Sequence, residues 1–158
     1  LFSIQSFFGG VQNKLYAIHF AVKKNQINAF SDLELSINLL EKYKKVVDIE
    51  TVSLSMTSYR IEEGVQIATV TANLLLRKFE KNKIKDREER VELRLEKSEH
   101  CKTQAVCGPS ILKCKKCGGN LSLLEGKICK FCGNELDMRE HDWVITKYDS
   151  MNKWKNHQ

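Results

Sequence analysis

Ile4, Phe8, Val11, Leu15, Ile18 and Val22 follow one another at steps of three and four, which places one apolar stripe along a helix and predicts a first helix over residues 3 to 24. Gly9 and Gly10 each lower helix propensity by roughly 1 kcal/mol relative to Ala, which leaves the ordered start open by a turn or two. Ser31 with Glu34 three places on has the form of a capping box, each side chain reaching the other residue's backbone N–H. A second helix is expected from there to about Val46, burying Leu33, Ile37, Leu40 and Tyr43.

Beyond Val47 the period changes from 3.6 to two. Val52, Leu54 and Met56 alternate with Ser53, Ser55 and Thr57, the pattern of a strand with one wet face. Glu62, Glu63 and Gly64 make a turn, and Val65 to Phe79 gives a second strand whose phase slips near Ala72 to Leu76, as at a bulge or bend. The polar run Glu80 to Glu89 holds another turn. Val91, Leu93 and Leu95 then alternate with Glu92, Arg94 and Glu96 in a third strand of a meander. Gly108, Pro109 and Ser110 break the pattern, and Asp142 to Tyr148 reads as a further strand, because Trp143, Val144 and Ile145 are too apolar for a free tail. The organisation is an α+β domain of helices and meander over residues 1–110, a metal-binding insertion over 111–136, a last strand over 137–150 and a polar tail over 151–158.

Composition narrows the class. In 158 residues, 42% are hydrophobic and 29% charged, the balance of a globular chain rather than a disordered one. The apolar stretches Leu15 to Val22 and Val65 to Leu76 are too short or too interrupted to span a bilayer. The chain begins at Leu1 rather than Met, as a fragment or processed form does. The formal charge is +6, and a zinc ion on four thiolates brings it to about +4, a weak preference for acidic partners. The charges of residues 77 to 102 are of mixed sign and read as a solvated sheet face.

Chemistry concentrates in one pattern. Cys114-Lys-Lys-Cys117-Gly118 and Cys129-Lys-Phe-Cys132-Gly133 are two C-x-x-C-G knuckles separated by eleven residues. Each knuckle presents two sulfurs to one metal, and the trailing glycine lets the backbone curl round the sulfur. Cys114, Cys117, Cys129 and Cys132 are therefore assigned to one structural zinc ion. Four thiolates leave no position for water or substrate, so the ion folds the segment rather than catalysing a reaction. Leu121, Leu123, Leu124, Ile128 and Phe131 are too few to build a core alone. Two disulfides, or iron in place of zinc, are the rival readings. Cys101 and Cys107 match no ligand spacing and read as reduced thiols, and reduced cysteines favour a reducing compartment. His19, His100, His141 and His157 are paired by no motif with a nucleophile or carboxylate, and Asp142 and Tyr148 read as ordinary strand-end residues.

The order of elements, with the ribbon Cys114 to Gly133 and the segment Asp142-Trp143-Val144 after it, resembles the bacterial relatives of the matrix-side peripheral subunit of the mitochondrial inner-membrane protein translocase. Within that family it is similar to the branch of low-GC Gram-positive bacteria with a zinc ribbon before the last strand. The resemblance covers Phe2 to Tyr148. It implies a cystatin-like cone of the nuclear transport factor 2 type, a curved antiparallel sheet around a long helix with an apolar cavity between them. It further implies a membrane-associated domain, anchored upstream of Leu1 and facing the cytoplasm, that binds lipid, another apolar ligand or a protein partner in protein transport. Leu15, Ile18, Val22, Leu54, Ile67 and Trp143 are the expected pocket residues.

Two other functions compete with this non-enzymatic reading. The same fold supports isomerases and dehydratases, which would require a carboxylate facing His or Tyr in the cone. Nucleic-acid binding through the ribbon would use Lys113, Lys115, Lys116, Lys127 and Lys130 against Glu125. The ribbon lacks an aromatic platform for stacking single strands, which disfavours that use.

Overall fold

A computed structural model describes residues 3–21, 27–28, 30–99, 111–113, 116–122, 129, 131–133, 138–140 and 142–151. Two helices pack on a four-stranded antiparallel sheet, so the chain is α+β. The helices are α1 (Ile4–Phe20) and α2 (Leu33–Lys42). The strands are β1 (Val46–Glu62), β2 (Val65–Glu80), β3 (Lys83–Ser98) and β6 (Val144–Ser150), in the order β1-β2-β3-β6. Between β3 and β6 in the chain, β4 (Ile111–Lys113) and β5 (Asn120–Ser122) form a separate two-stranded hairpin, followed by a single 3₁₀ turn at Met138–Glu140.

Helix α1 runs straight through Gly9 and Gly10, starting at Ser3, whose hydroxyl accepts the N–H of Ser6 at 3.3 Å. Its buried face is Phe7, Val11, Leu15, Ile18 and His19, while Ile4 at the start of the expected stripe is 49% exposed. The second helix is capped one residue later than expected. The Asp32 carboxylate accepts the N–H of Leu35 at 2.7 Å, a cap whose loss costs about 1 kcal/mol. Ser31, instead of facing Glu34, is fully buried; its hydroxyl donates to the Ile27 carbonyl and meets the Ser36 hydroxyl at 2.6 Å. The shift turns the helix, so that Ser36, Leu39 and Tyr43 are buried and Ile37 is 46% exposed.

The phase slip belongs to β1, not to β2. The β2–β3 register is unbroken from Val65↔Ser98 to Glu80↔Lys83. Along β1 the pairing with β2 shifts three times, between Val46 and Asp48, Thr51 and Ser53, and Met56 and Ser58. Each shift gives β1 one extra residue and inverts the parity of the residues after it. Positions 46, 49, 51, 54, 56 and 59 therefore share the face of Ala68, Val70, Ala72 and Leu74, whereas Val52 falls on a bulge and is 62% exposed.

That shared inner face carries the core. Leu93 and Leu95 of β3, Leu74 and Leu76 of β2 and Ile145 of β6 pack with Leu15 and Ile18 of α1, all at most 2% exposed. At about 25 cal/mol per Å² of apolar area, this layer dominates the favourable side of folding. Trp143 closes one end against Phe7, edge to face with ring centres 4.9 Å apart, and Lys97 lies over the Trp143 ring at 5.8 Å. Both long hairpins turn on residues with positive φ, Glu63-Gly64 (50° and 78°) and Lys81-Asn82 (48° and 63°), the geometry that matches strand twist.

Candidate functional site

Three of the four predicted metal ligands are described, and they converge. The sulfurs of Cys117, Cys129 and Cys132 all lie within 4.8 Å of one another, close enough to hold a metal ion. Cys117 and Cys129 are 3.6 Å apart and not joined in a disulfide. A disulfide would bring two sulfurs to about 2.05 Å, whereas a tetrahedral ion with metal–sulfur bonds of about 2.3 Å holds them about 3.8 Å apart. The observed separation fits the metal. Cys114 lies outside the described residues, as do Cys101 and Cys107.

Local folding explains the convergence. The β4–β5 hairpin, paired from Ile111↔Ser122 to Lys113↔Asn120, carries Cys117 in its connection. In the second knuckle the Gly133 N–H donates to the Cys129 carbonyl at 2.7 Å, which closes the turn. Gly118 and Gly133 have φ of +75° and +74°, a conformation that costs a residue with a Cβ about 1–2 kcal/mol. Burial of Cys129 would raise its thiol pKa, but backbone N–H groups of Cys132 and Phe131 and the neighbouring Cys117 and Cys132 thiols outweigh it and hold the thiol below its ordinary value. That favours the thiolate a metal requires. Gly119 has a separate role that the knuckle pattern does not reveal. A Cβ there would stand 2.4 Å from the Phe131 ring, so the absence of a side chain lets Phe131 of one knuckle lie across the other.

The expected pocket residues do not share one cavity. Leu15 and Ile18 are fully packed core, Trp143 belongs to the same cluster, and Leu54 is partly buried at its margin. Val22 lies outside the described residues. Ile67 is on the opposite face of the sheet: its neighbour Ala68 pairs with Leu95 on the inner face, while Ile67 pairs with Glu96. There it borders an open cavity of about 690 Å³ with Glu62, Val65 and Arg139. A second cavity of about 480 Å³ is lined by Leu75, Asp86, Arg87 and Glu88. Neither borders Leu15, Ile18, Leu54 or Trp143. The apolar residues that remain half-covered on the inner side are Phe8 and Tyr16 of α1 and Leu54 and Met56 of β1, a margin of the core rather than an enclosed pocket.

The polar feature of the inner face has no motif in the sequence. Tyr43 donates its hydroxyl hydrogen to Glu89 and meets the Tyr148 hydroxyl, while Lys42 pairs with the other Glu89 oxygen at 3.4 Å. His19 stacks on Tyr43 with ring centres 4.0 Å apart, and its Nδ1 meets the Leu15 carbonyl at 2.6 Å. Burial lowers the His19 pKa to about 4, against smaller opposing effects of the Leu15 carbonyl and Glu89, so the ring is neutral. Burial, reinforced by Glu89, raises both tyrosines. Glu89, the tyrosines and Lys42 occupy one another's hydrogen-bonding groups, and neither cavity borders them, so the cluster holds α1, α2, β3 and β6 together. Only the folded register brings Glu89 to Tyr43, 46 residues away. The alternation of Val91, Leu93 and Leu95, extended back by two, was the available signal.

No family model matches the chain, and no curated protein matches it significantly.

Proposed function

We propose that this chain is a non-enzymatic, membrane-associated binding domain whose inner-face apolar margin takes a lipid, another apolar ligand or a protein segment. We read it as a relative of the bacterial branch of the translocase-subunit family, serving protein transport or membrane-linked assembly. The observation that carries the reading is the unclosed edge of the core, where Phe8, Tyr16, Leu54 and Met56 are only partly covered beside a fully packed helix–sheet interface. A cone-like curvature is supported by β1, which uses three more residues than β2 needs over the same span. At about 3.3 Å per residue the outer strand is about 10 Å longer than its neighbour, and such a sheet bends. No helix among the described residues is long and apolar enough to cross a membrane, so attachment would be peripheral or through a segment outside this sequence.

In this reading one zinc ion, held by Cys114, Cys117, Cys129 and Cys132, fastens a ribbon carried between β3 and β6. Its support is the sulfur spacing and the backbone N–H groups aimed at Cys129. When bound, the ion would supply folding energy to the ribbon and no reactive position.

Native mass spectrometry of protein purified from its own host tests both parts. The expected species carries one zinc and a lipid or partner, and Met56→Asp removes the lipid or partner while leaving the zinc. Protein that carries no ligand and binds neither liposomes nor apolar probes would end the binding reading, and a chain without stoichiometric metal would end the zinc assignment.

A further inference from the structure

The β2–β3 hairpin projects beyond the rest of the sheet. On one side β1 begins at Val46, opposite Lys78; on the other β6 ends at Ser150, opposite Val91. Residues 79–84 therefore stand past both neighbouring strands as a two-stranded tip, closed by the Lys81-Asn82 turn. At its base Phe79 and Ile84 face each other across the strands, 48% and 63% exposed. Two large apolar side chains in cross-strand contact would be expected to be covered, and among the described residues nothing covers them.

The charge around this pair has one sign. Six basic residues, Arg77, Lys78, Lys81, Lys83, Lys85 and Arg87, surround two acids. Both acids are occupied by arginine: Arg87 binds Glu80 at 2.7 Å and Arg77 approaches Asp86 at 3.5 Å. The four lysines remain without an ion pair among the described residues. An exposed aromatic and a β-branched aliphatic ringed by lysines is the composition that inserts apolar groups at an acyl boundary while ammonium groups meet anionic headgroups. A polyanion such as nucleic acid would use the lysines but has no place for Ile84.

We propose that the β2–β3 tip is a docking element for an anionic bilayer surface, with Phe79 and Ile84 inserted and Lys78, Lys81, Lys83 and Lys85 on the headgroups. The inference deepens the membrane-associated reading and rests on it. It identifies which face of the domain meets the lipid, and it places that contact on the opposite side of the sheet from α1.

The test is vesicle co-sedimentation of the zinc-loaded chain, with pure phosphatidylcholine vesicles beside vesicles of about one part phosphatidylglycerol to two parts phosphatidylcholine. Two variants accompany it: Lys81→Glu/Lys83→Glu/Lys85→Glu and Phe79→Ser/Ile84→Ser, all at exposed positions, with melting temperature and zinc content verifying the fold. The chain is expected to bind the anionic vesicles only. Charge reversal should weaken binding by about 100-fold or more, and the serine pair by about 10-fold or more. Wild-type binding that both variants retain would overturn the tip assignment and leave the membrane reading standing. Absence of binding to either vesicle would overturn both, with the zinc centre unaffected. Sensitivity to the lysines alone, with equal competition by duplex DNA, would overturn bilayer docking in favour of a polyanion contact.

Discussion

Val91, Leu93 and Leu95 on the inner face of the sheet have no exposure at all, whereas in the cysteine module Cys117 and Cys132 are exposed and Phe131 is 63% exposed. The sheet body excludes water with side chains drawn from three strands and two helices. The module has no comparable layer among its described residues, and what gathers it is three sulfurs at metal-binding distance. One region is thus ordered by many weak contacts, and the other by a few strong ones that exist only with an ion. The two should fail separately and under different insults.

Removing the ion gives the largest expected effect. Structural zinc contributes roughly 10–16 kcal/mol of apparent binding free energy, so a strong chelator or Cys129→Ser should abolish amide protection in residues 111–133 while leaving that of β2 and β3 intact. Hydrogen exchange read by mass spectrometry separates the regions, and simultaneous loss in both would merge them into one cooperative unit. The reverse experiment is Leu93→Ala, expected to destabilise the body by about 2–5 kcal/mol in urea unfolding without lowering zinc stoichiometry.

A proton probes the body alone. His19 is neutral when folded, with a pKa of about 4, but ordinary, near 6.5, when unfolded. The unfolded chain therefore binds the proton first. Stability is full above about pH 6.5 and falls as pH drops toward 4, by at most roughly 3 kcal/mol, because a buried imidazolium would stand beside Lys42 with only Glu89 as counter-charge. His19→Gln should flatten this slope. Thiolates lose zinc over the same range in both proteins, so the difference between them isolates the histidine. The smallest effect expected is that of Gly133→Ala, about 1–2 kcal/mol from its φ of +74°, read as a roughly tenfold loss of zinc affinity with an unchanged urea midpoint for the body.

The elements were legible wherever one period governed a whole segment. Val91 to Leu95 and the stripe through Val11, Leu15 and Ile18 stand in the structure where the pattern puts them. The pattern failed at β1, because a residue inserted at a bulge changes parity without changing composition, and Val52 looks inward in the sequence while standing in solvent. It failed again at α2. Ser31 and Asp32 are both good caps, and the choice fell to Asp32 because Ser31 is taken by a buried bond to Ser36 and a bridge to Ile145 from the far end of the chain. The metal site was legible because its ligands are close in sequence and their spacing is itself the geometry. The His19, Tyr43, Glu89 and Tyr148 cluster was not, since its members meet only after four elements have assembled.

Strand β6 covers β3 only from Val91 to Glu96, so the backbone of Lys83 to Glu89 presents one edge without a strand partner among the described residues. Such an edge is a template on which another chain can add a strand. The residues along it are Lys-Ile-Lys-Asp-Arg-Glu-Glu, six charged side chains interrupted only by Ile84, and bringing a second copy alongside would force those charges into register. The same run that reads as an ordinary solvated face thus guards against fibrous self-association. Substitutions that made it apolar would cost solubility before they cost stability.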